Sequence, residues 1–268
     1  MPADTLAAWA TLVGTHALGV FLALLIVLLL LVAGGSWLLR SQLLPQAQSR
    51  LGLLALVLLS AAIGSALVLG AAALFAEIAE HLGPDATMSR ADEALTAAIR
   101  AHASPATLAV FAALTHFGDP ITLTLLGTVV GLLLWWQRRR ALALGWVIAL
   151  GGNALLNPLL KRVFERVRPV HEVGLINELG WSFPSGHTSG ATVAYGMLAY
   201  VAMRTLPPAW HMPLVLAATA LAFTVGCSRV FLQVHFASDV LAGFASGAAW
   251  LTVCIVSVEL ARVYRQRV

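Results

Sequence analysis

Residues 5–39 read TLAAWATLVGTHALGVFLALLIVLLLLVAGGSWLL, a run that contains no Asp, Glu, Lys or Arg. A helix needs about 20 mainly apolar residues to cross the hydrocarbon of a bilayer, so this run is long enough to span it. Further charge-free runs follow along the chain, each near or above that length. They cover residues 51–76, 120–137, 141–160, 179–203, 205–228 and 240–258. The pattern predicts an all-α, polytopic membrane helical bundle.

The composition of the whole chain agrees with a membrane environment. Of its 268 residues, 60% are hydrophobic and only 10% are Asp, Glu, Lys or Arg, and the mean hydropathy is +0.88. One soluble core of this size could not bury so much apolar surface. The net charge of +4 does not indicate a nucleic-acid partner, because no basic stripe lies on a soluble domain.

The runs translate into six core transmembrane helices plus an additional N-terminal one. We predict these spans at residues 14–39, 52–76, 119–136, 141–160, 187–204, 212–229 and 237–259. The N-terminus then lies outside and the C-terminus inside, because most basic residues flank apolar ends on one face, which the positive-inside rule makes cytoplasmic. These basic residues are Arg40, Arg50, Arg138, Arg139, Arg140, Arg204, Arg262, Arg265 and Arg267.

Residues 77–119 form a mixed stretch on the outer face between two predicted spans. From Asp92 to Phe117 apolar residues recur at helical spacing, and Pro105 interrupts them. We expect a pair of short helices that lie along the membrane surface.

Three short polar stretches occur on the face opposite the basic one: KRVFERVRP at 161–169, PSGH at 184–187 and SRVFLQVHFASD at 228–239. In the last, His235 and Asp239 lie together if they share a helical turn, because they are four residues apart. A carboxylate that binds the proton of one imidazole nitrogen leaves the other nitrogen free to attack. The structural alternative is an acidic residue that stabilises a helix N-terminus.

The other two stretches supply groups that bind anions. Lys161 and Arg168 are seven residues apart, which places both cations on one helical face, where they could hold phosphate oxygens. The alternative is snorkelling of basic side chains at a helix end. Ser185 can cap the next helix, and Gly186 lets a ligand approach the exposed amides. An ordinary turn into a helix explains PSGH equally well.

Read in order as Lys-x6-Arg-Pro, Pro-Ser-Gly-His and Ser-Arg-x5-His-x3-Asp, the three stretches match a known signature. The chain resembles the type 2 phosphatidic acid phosphatase superfamily, integral-membrane lipid phosphatases that are related to vanadium haloperoxidases. The resemblance covers about residues 51–260, which we take as the membrane phosphatase domain. Residues 1–50 are then an N-terminal anchor helix and cytoplasmic loop, a departure from the usual family pattern, and residues 261–268 are a basic cytoplasmic tail.

The resemblance implies a hydrolase that works through a phosphohistidine intermediate. His235 would attack phosphorus, Asp239 would orient it, and His187 would protonate the departing oxygen. The remaining motif residues would hold the equatorial phosphoryl oxygens. They are Lys161, Arg168, Ser185, Gly186 and Arg229.

The implied substrate is a membrane lipid phosphate or diphosphate, with its head group at the outer face and its tail between helices. In a bacterium the protein would lie in the inner membrane with its site toward the periplasm. Candidate substrates are undecaprenyl diphosphate, phosphatidylglycerophosphate, phosphatidate and lipid A phosphate. We expect no metal or other cofactor, because fixed cations supply the electrostatics and no paired carboxylates accompany the motifs. We also expect no obligate protein partner.

Alternative functions remain open. A transferase would use the same phosphohistidine and pass the phosphoryl group to another lipid or to a sugar. A non-enzymatic lipid-phosphate binding or transport protein would keep the pocket without turnover, although binding alone needs only the cations. A haloperoxidase shares the anion pocket, but such enzymes are typically soluble.

The other polar residues of the apolar segments are assigned to packing and surfaces. Asn153 and Asn157 lie in a predicted span, where we expect interhelical hydrogen bonds. Gly243 and Gly247 form a small-xxx-small pair that favours close helix approach. His171 lies in an outer loop where it could touch substrate. The histidines expected only at interfaces or in loops are His16, His81, His102, His116 and His211.

Overall fold

The computed structural model describes residues 3–83, 86–169 and 180–265, and in these ranges the chain forms helices joined by turns and loops. The predicted all-α polytopic bundle is confirmed. In chain order the α-helices are α1 (Ala3–Thr15), α2 (Ala17–Leu38), α3 (Leu44–Arg50), α4 (Leu53–Glu80), α5 (Thr87–His102), α6 (Pro105–Leu114), α7 (Pro120–Trp136), α8 (Arg140–Phe164), α9 (Gly186–Thr205), α10 (His211–Phe231) and α11 (Ala237–Arg265).

A helix lies at each of the seven predicted spans. Within the described ranges, five helical segments are long and apolar enough to cross a bilayer. They are Ala17–Ala47, Ala55–Glu80, Arg140–Phe164, Pro208–Phe231 and Ala237–Val263. The first begins later than predicted, because the N-terminal apolar run divides at His16 into α1 and α2. Helix α7 is apolar but only 17 residues long.

Helix α9 lies at the centre of the bundle, in contact with α7, α8, α10 and α11. Its buried positions are mostly small residues, which suit a helix surrounded by others. A Cβ added to Gly243 of α11 would lie 2.8 Å from the Ser185 carbonyl oxygen, and one added to Gly247 would lie 3.0 Å from the Ser189 oxygen. The predicted small-xxx-small contact is therefore confirmed for this pair, and it sets the start of α11 beside the start of α9.

The outer stretch forms the expected pair of short helices, α5 and α6, which are bent by 117° relative to each other. The first begins at Thr87, earlier than the apolar spacing indicated, and the second begins at Pro105 with Ser104 as its N-cap. Helix α1 packs along α5, and Phe21 of α2 contacts the rings of Phe111 and Phe231. The N-terminal segment therefore packs on the bundle.

The opposite end of the bundle carries a cluster of basic residues. Arg204 pairs with Glu259 at 2.6 Å, and Arg262 contacts the same carboxylate at 3.2 Å. Arg139 donates to the carbonyl oxygen of Arg204 at 3.0 Å. Three of the basic residues that the sequence assigned to one face, Arg139, Arg204 and Arg262, thus meet at one end of the bundle.

Candidate active site

A cavity of about 780 Å³ opens among the helix ends that carry the three motifs. Its polar end is lined by Asp119, Lys161, Gly186, His187 and His235. These residues come from the start of α7, the end of α8, the start of α9 and the turn before α11. The bundle therefore gathers side chains that are far apart in sequence around one space.

His235 and Asp239 form a pair, although they do not share a helical turn as predicted. His235 lies in the turn before α11, and its Nδ1 is 3.4 Å from Oδ2 of Asp239. The same carboxylate oxygen accepts a hydrogen bond from the backbone N–H of Phe236 at 2.9 Å. Asp239 therefore closes the first turn of α11, as the structural alternative expected, and also holds the imidazole.

The surroundings of His235 keep its ring neutral. Its side chain is 1% exposed, and Nη1 of Arg168 donates to its Nε2 at 3.1 Å. Burial lowers the pKa of His235 to about 3, and the charges of Arg168 and Arg229 act in the same direction, against the attraction of Asp239. With the proton on Nδ1 toward Asp239, Nε2 carries the lone pair, which accepts the hydrogen bond from Arg168.

Lys161 and Arg168 lie close together, but the prediction that they share a helical face is wrong. Helix α8 ends at Phe164, and Glu165 adopts the left-handed conformation with φ of 43°, so Arg168 lies beyond the helix. Lys161 Nζ and Arg168 Nη2 nevertheless donate to the same oxygen, the carbonyl of Trp181, at 2.6 and 3.3 Å. The two cations therefore lie together at the Trp181 carbonyl, which their spacing alone could not indicate.

The PSGH stretch begins α9 as expected. Ser185 is the N-cap, and its hydroxyl oxygen accepts from the N–H of Thr188 at 3.4 Å. A Cβ on Gly186 would lie 2.8 Å from Oδ1 of Asn157, so only glycine lets α9 begin this close to α8. Asn157 in turn donates to the Ser189 hydroxyl at 3.3 Å, which confirms the interhelical hydrogen bond expected of it.

The third cation of the motifs is held deep in the bundle. Arg229 is fully buried near the end of α10, and its Nη1 donates to the hydroxyl of Thr115 at 2.7 Å. This places a fixed positive charge behind His235.

His187 has a carboxylate partner that the motifs did not indicate. Its Nε2 lies 2.8 Å from Oδ1 of Asp119, and Nδ1 of His116 lies 2.6 Å from the other oxygen. Burial alone would raise the pKa of Asp119, but the hydrogen bonds from both histidines outweigh it and lower the pKa. His116, which we expected only in a loop, is therefore connected to the site. The position of Asp119 at the outer start of a predicted span was the available signal.

The contact between Arg166 and Asp92 was also not predicted from the sequence. Arg166 Nη1 pairs with Oδ1 of Asp239 at 2.6 Å, and its Nη2 pairs with Asp92 of α5 at 3.0 Å. Asp92 also accepts hydrogen bonds from the hydroxyl and the backbone N–H of Ser238. The outer helix α5 is thereby fixed to the first turn of α11. Arg166 lies within the first polar stretch, but nothing local links it to Asp92, 74 residues away.

Two other expectations concern the surroundings of the site. His171 lies outside the described residues. Among the residues that the structure does describe, no group of three or more His, Cys, Asp or Glu side chains is arranged to hold a metal ion.

The chain is similar to several known proteins. The family model described as the PAP2 superfamily matches residues 140–262. Phosphatidylglycerophosphatase B of Bacillus subtilis (strain 168) is 37% identical over 59% of this chain and 78% of its own length. Decaprenylphosphoryl-5-phosphoribose phosphatase of Mycobacterium tuberculosis is 31% identical over 54% of this chain and 76% of its own.

A solved structure is similar as well. The crystal structure of a transmembrane PAP2-type phosphatidylglycerolphosphate phosphatase from Bacillus subtilis aligns with a TM-score of 0.67 at 31% identity, over 72% of this chain and 96% of that one. The chain belongs to the PAP2 superfamily. It is an integral-membrane lipid phosphatase, which makes it a phosphoric ester hydrolase.

Proposed function

We propose that this protein hydrolyses a lipid phosphate through a phosphohistidine on His235. The observation that carries the proposal is that two histidines with separate carboxylates line one cavity together with a lysine. One imidazole is buried and neutral, and the other has a carboxylate partner that contacts a second, exposed histidine. Such a pair suits a nucleophile and a proton donor.

In the first step, Nε2 of His235 attacks phosphorus and the bond from phosphorus to the lipid oxygen breaks. His187 gives its proton to that oxygen, so the alcohol leaves neutral. Arg168 donates to the same Nε2 at 3.1 Å, so its N–H must turn to a phosphoryl oxygen as the nitrogen attacks. The Arg168 guanidinium then stabilises the negative charge that develops on the phosphoryl oxygens.

In the second step, water attacks the phosphohistidine. His187, now neutral, accepts a proton from the water, the bond from phosphorus to nitrogen breaks, and inorganic phosphate leaves. His187 is protonated again and His235 is neutral again, so the cycle closes without a cofactor.

The equatorial oxygens of the transferring group require fixed positive partners. Lys161 and Arg168 converge on one carbonyl oxygen, and Arg229 is buried behind His235. Together with the Ser185 hydroxyl and the Gly186 amide at the start of α9, they supply this stabilisation. The role of each of these residues is part of the proposal.

We infer that the site faces the periplasm from a bacterial inner membrane. The support is the basic cluster around Glu259 at the opposite end of the bundle, because positive residues favour the cytoplasmic side. For the substrate, the similarity to a phosphatidylglycerophosphatase favours a glycerophospholipid phosphate.

The experiment that tests this function measures inorganic phosphate released from lipid phosphates and diphosphates by the detergent-purified protein, with EDTA present. The wild-type chain should release phosphate and His235→Ala should not. His211→Ala serves as the control, because His211 is partly exposed and its Nε2 donates to the carbonyl oxygen of Leu206, away from the three motifs.

Each other outcome points to another function. Transfer of the phosphoryl group to an added lipid or sugar without free phosphate would identify a transferase. Binding of the lipid phosphate without either product would identify a binding or transport protein.

A further inference from the structure

Asn153 of α8 has a buried side-chain amide that lines the catalytic cavity. The residue is 7% exposed, and it borders the same cavity as His187 and His235. Throughout the part of the chain that the structure describes, no hydrogen bond reaches this amide. The interhelical hydrogen bond expected of Asn153 is therefore not formed there, in contrast to that of Asn157.

The position of Asn153 in the cavity follows from two contacts between α8 and α9. A Cβ added to Gly186 would lie 2.8 Å from Oδ1 of Asn157, and one added to Gly190 would lie 3.9 Å from Nδ2 of Asn153. In each helix the two residues are four apart, so Asn153 lies about 6 Å deeper in the bundle than the start of α9. Gly190 also lines the cavity. Because it has no side chain, the space beside the Asn153 amide stays open.

The wall of the cavity around Asn153 is mainly apolar. Leu123, Leu150 and Val193 line the cavity together with it. An amide that is buried among such residues without a hydrogen bond destabilises the fold, because it loses its contacts with water and gains none in return. An unpartnered amide that faces a cavity therefore indicates a ligand group that completes its hydrogen bonds.

A glycerol phosphate carries an oxygen at a matching distance from its phosphorus. Four single bonds join phosphorus to the oxygen on the second glycerol carbon, a span of about 5 Å when extended. In phosphatidate this oxygen belongs to an ester, and in phosphatidylglycerophosphate it belongs to a hydroxyl. An asparagine amide both donates and accepts, so it suits either group. A prenyl phosphate has only carbon and hydrogen at this position.

We propose that Asn153 binds the oxygen on the second glycerol carbon of a lipid whose phosphoryl group lies at His235. Asn153 is then a specificity residue that favours glycerolipid phosphates over prenyl phosphates, because a prenyl chain would leave the amide buried without a partner. This inference rests on the proposed function, and it adds the residue that selects the substrate class.

The test compares wild type with Asn153→Leu, which replaces the amide by an apolar side chain of similar shape. Thr128→Val is the matched control. Thr128 lines the same cavity, but its hydroxyl donates to the Thr124 carbonyl oxygen within α7 at 2.9 Å. The substrates are dioctanoyl phosphatidate, octanoyl lysophosphatidate and farnesyl phosphate, each in mixed micelles of one detergent.

For the glycerolipids, we expect kcat/KM of Asn153→Leu to fall about tenfold, the effect of one lost hydrogen bond. For farnesyl phosphate it should rise about three- to tenfold, because an apolar side chain replaces the unsatisfied amide. A loss with phosphatidate alone would assign the contact to the ester, and a loss with lysophosphatidate as well would assign it to the oxygen itself. An unchanged preference, or the same shift in Thr128→Val, would overturn the proposal.

The thermal midpoint of the ligand-free protein separates a ligand contact from a structural one. Asn157 donates to the Ser189 hydroxyl at 3.3 Å, so Asn157→Leu should lower the midpoint. Asn153→Leu should keep or raise it, because in the described ranges it breaks no hydrogen bond. A decrease as large as that of Asn157→Leu would show that Asn153 supports the fold and would reject the proposal.

A binding measurement keeps the inference testable if the wild-type chain releases no phosphate. The Kd values of dioctanoyl phosphatidate and farnesyl phosphate are measured in His235→Ala, where we expect no hydrolysis, and in the double variant that also carries Asn153→Leu. The preference should shift at least about tenfold toward farnesyl phosphate in the double variant. Failure of the proposed function would leave this shift intact, whereas equal preferences in the two variants would reject the role of Asn153.

Discussion

The two histidines of the cavity each contact a carboxylate, yet their surroundings differ. The His235 and Asp239 side chains are 1% and 0% exposed, and arginines contact both of them. The His187 and Asp119 side chains are 10% and 32% exposed, and the second partner of Asp119 is His116, which is 67% exposed. One pair is enclosed among cations, and the other reaches toward solvent.

This difference supports the two proposed chemical roles. Burial, and to a smaller extent the nearby arginines, oppose a proton on His235, so it is suited to attack. Asp119 contacts no arginine in the described structure, so its charge favours a proton on His187. His116, on the other carboxylate oxygen, offers a path for that proton from the surface. A contact between a histidine and a carboxylate therefore does not by itself fix the role of the histidine.

The strongest test of the comparison is the substitution His187→Ala. On an alkyl lipid phosphate, kcat should fall by about 10²–10⁴-fold, the usual contribution of a general acid. On an aryl phosphate, whose leaving group needs no proton, formation of the phosphoenzyme should persist. The measurement is a pre-steady-state burst of the released phenol. Equal loss of that burst and of lipid hydrolysis would contradict the acid role.

The function and stability of the buried pair of His235 and Asp239 should depend on Arg166. Arg166→Gln leaves Asp239 and Asp92 buried without their shared cation, and removal of one partner of a buried ion pair typically costs about 3–5 kcal/mol. We expect a lower thermal midpoint and a kcat reduced by about 10–100-fold with little change in KM. Arg162→Gln, at an exposed position of the same stretch, is the control.

A conservative variant separates positioning from folding at this site. Arg166→Lys keeps the charge, and it should recover much of the thermal midpoint but less of kcat, because lysine cannot bridge both carboxylates with a planar fork. Full recovery of both by lysine would show that only the charge matters.

The partly exposed pair of His187 and Asp119 should control how kcat/KM depends on pH. In Asp119→Asn, His187 loses the carboxylate that favours its proton, so the alkaline decline of kcat/KM should begin at a lower pH than in wild type. The rate at the optimum should fall by about tenfold. His116→Ala should cause a smaller change in the same direction. If the alkaline decline of kcat/KM begins at the same pH in Asp119→Asn as in wild type, Asp119 does not influence the proton on His187.

The smallest effect is expected from metal removal. EDTA should leave phosphate release unchanged, because arginines and a lysine supply the positive charge. Loss of activity with EDTA and its recovery with a divalent ion would contradict this expectation, since a metal ion would then supply the positive charge that we attribute to the arginines and the lysine.

The sequence was sufficient for those features that depend on local pattern. Charge-free runs predicted helices at every span, and the glycine pair of α11 predicted its close contact with α9. The proximity of the three motifs followed from their common membrane face, and the contacts of Arg168 with His235 agree with it.

Features that depend on tertiary contact were not predicted. The end of α8 at Phe164 changes how Arg168 reaches the site, and a left-handed residue at Glu165 has no signature in the motif. Asp92 meets Arg166 only because α5 packs beside the start of α11. Such partners come from distant segments, so periodicity and spacing carry no information about them.

The most direct test of the central claim is to trap the covalent intermediate. His187→Ala is mixed with a radiolabelled aryl phosphate, quenched in alkali within milliseconds, and digested for mass spectrometry. We expect a phosphoryl group that is stable to base and labile to acid on His235, and none in the double variant that also carries His235→Ala. A phosphoryl group on another residue, or release of the phenol without any protein-bound phosphate, would contradict it.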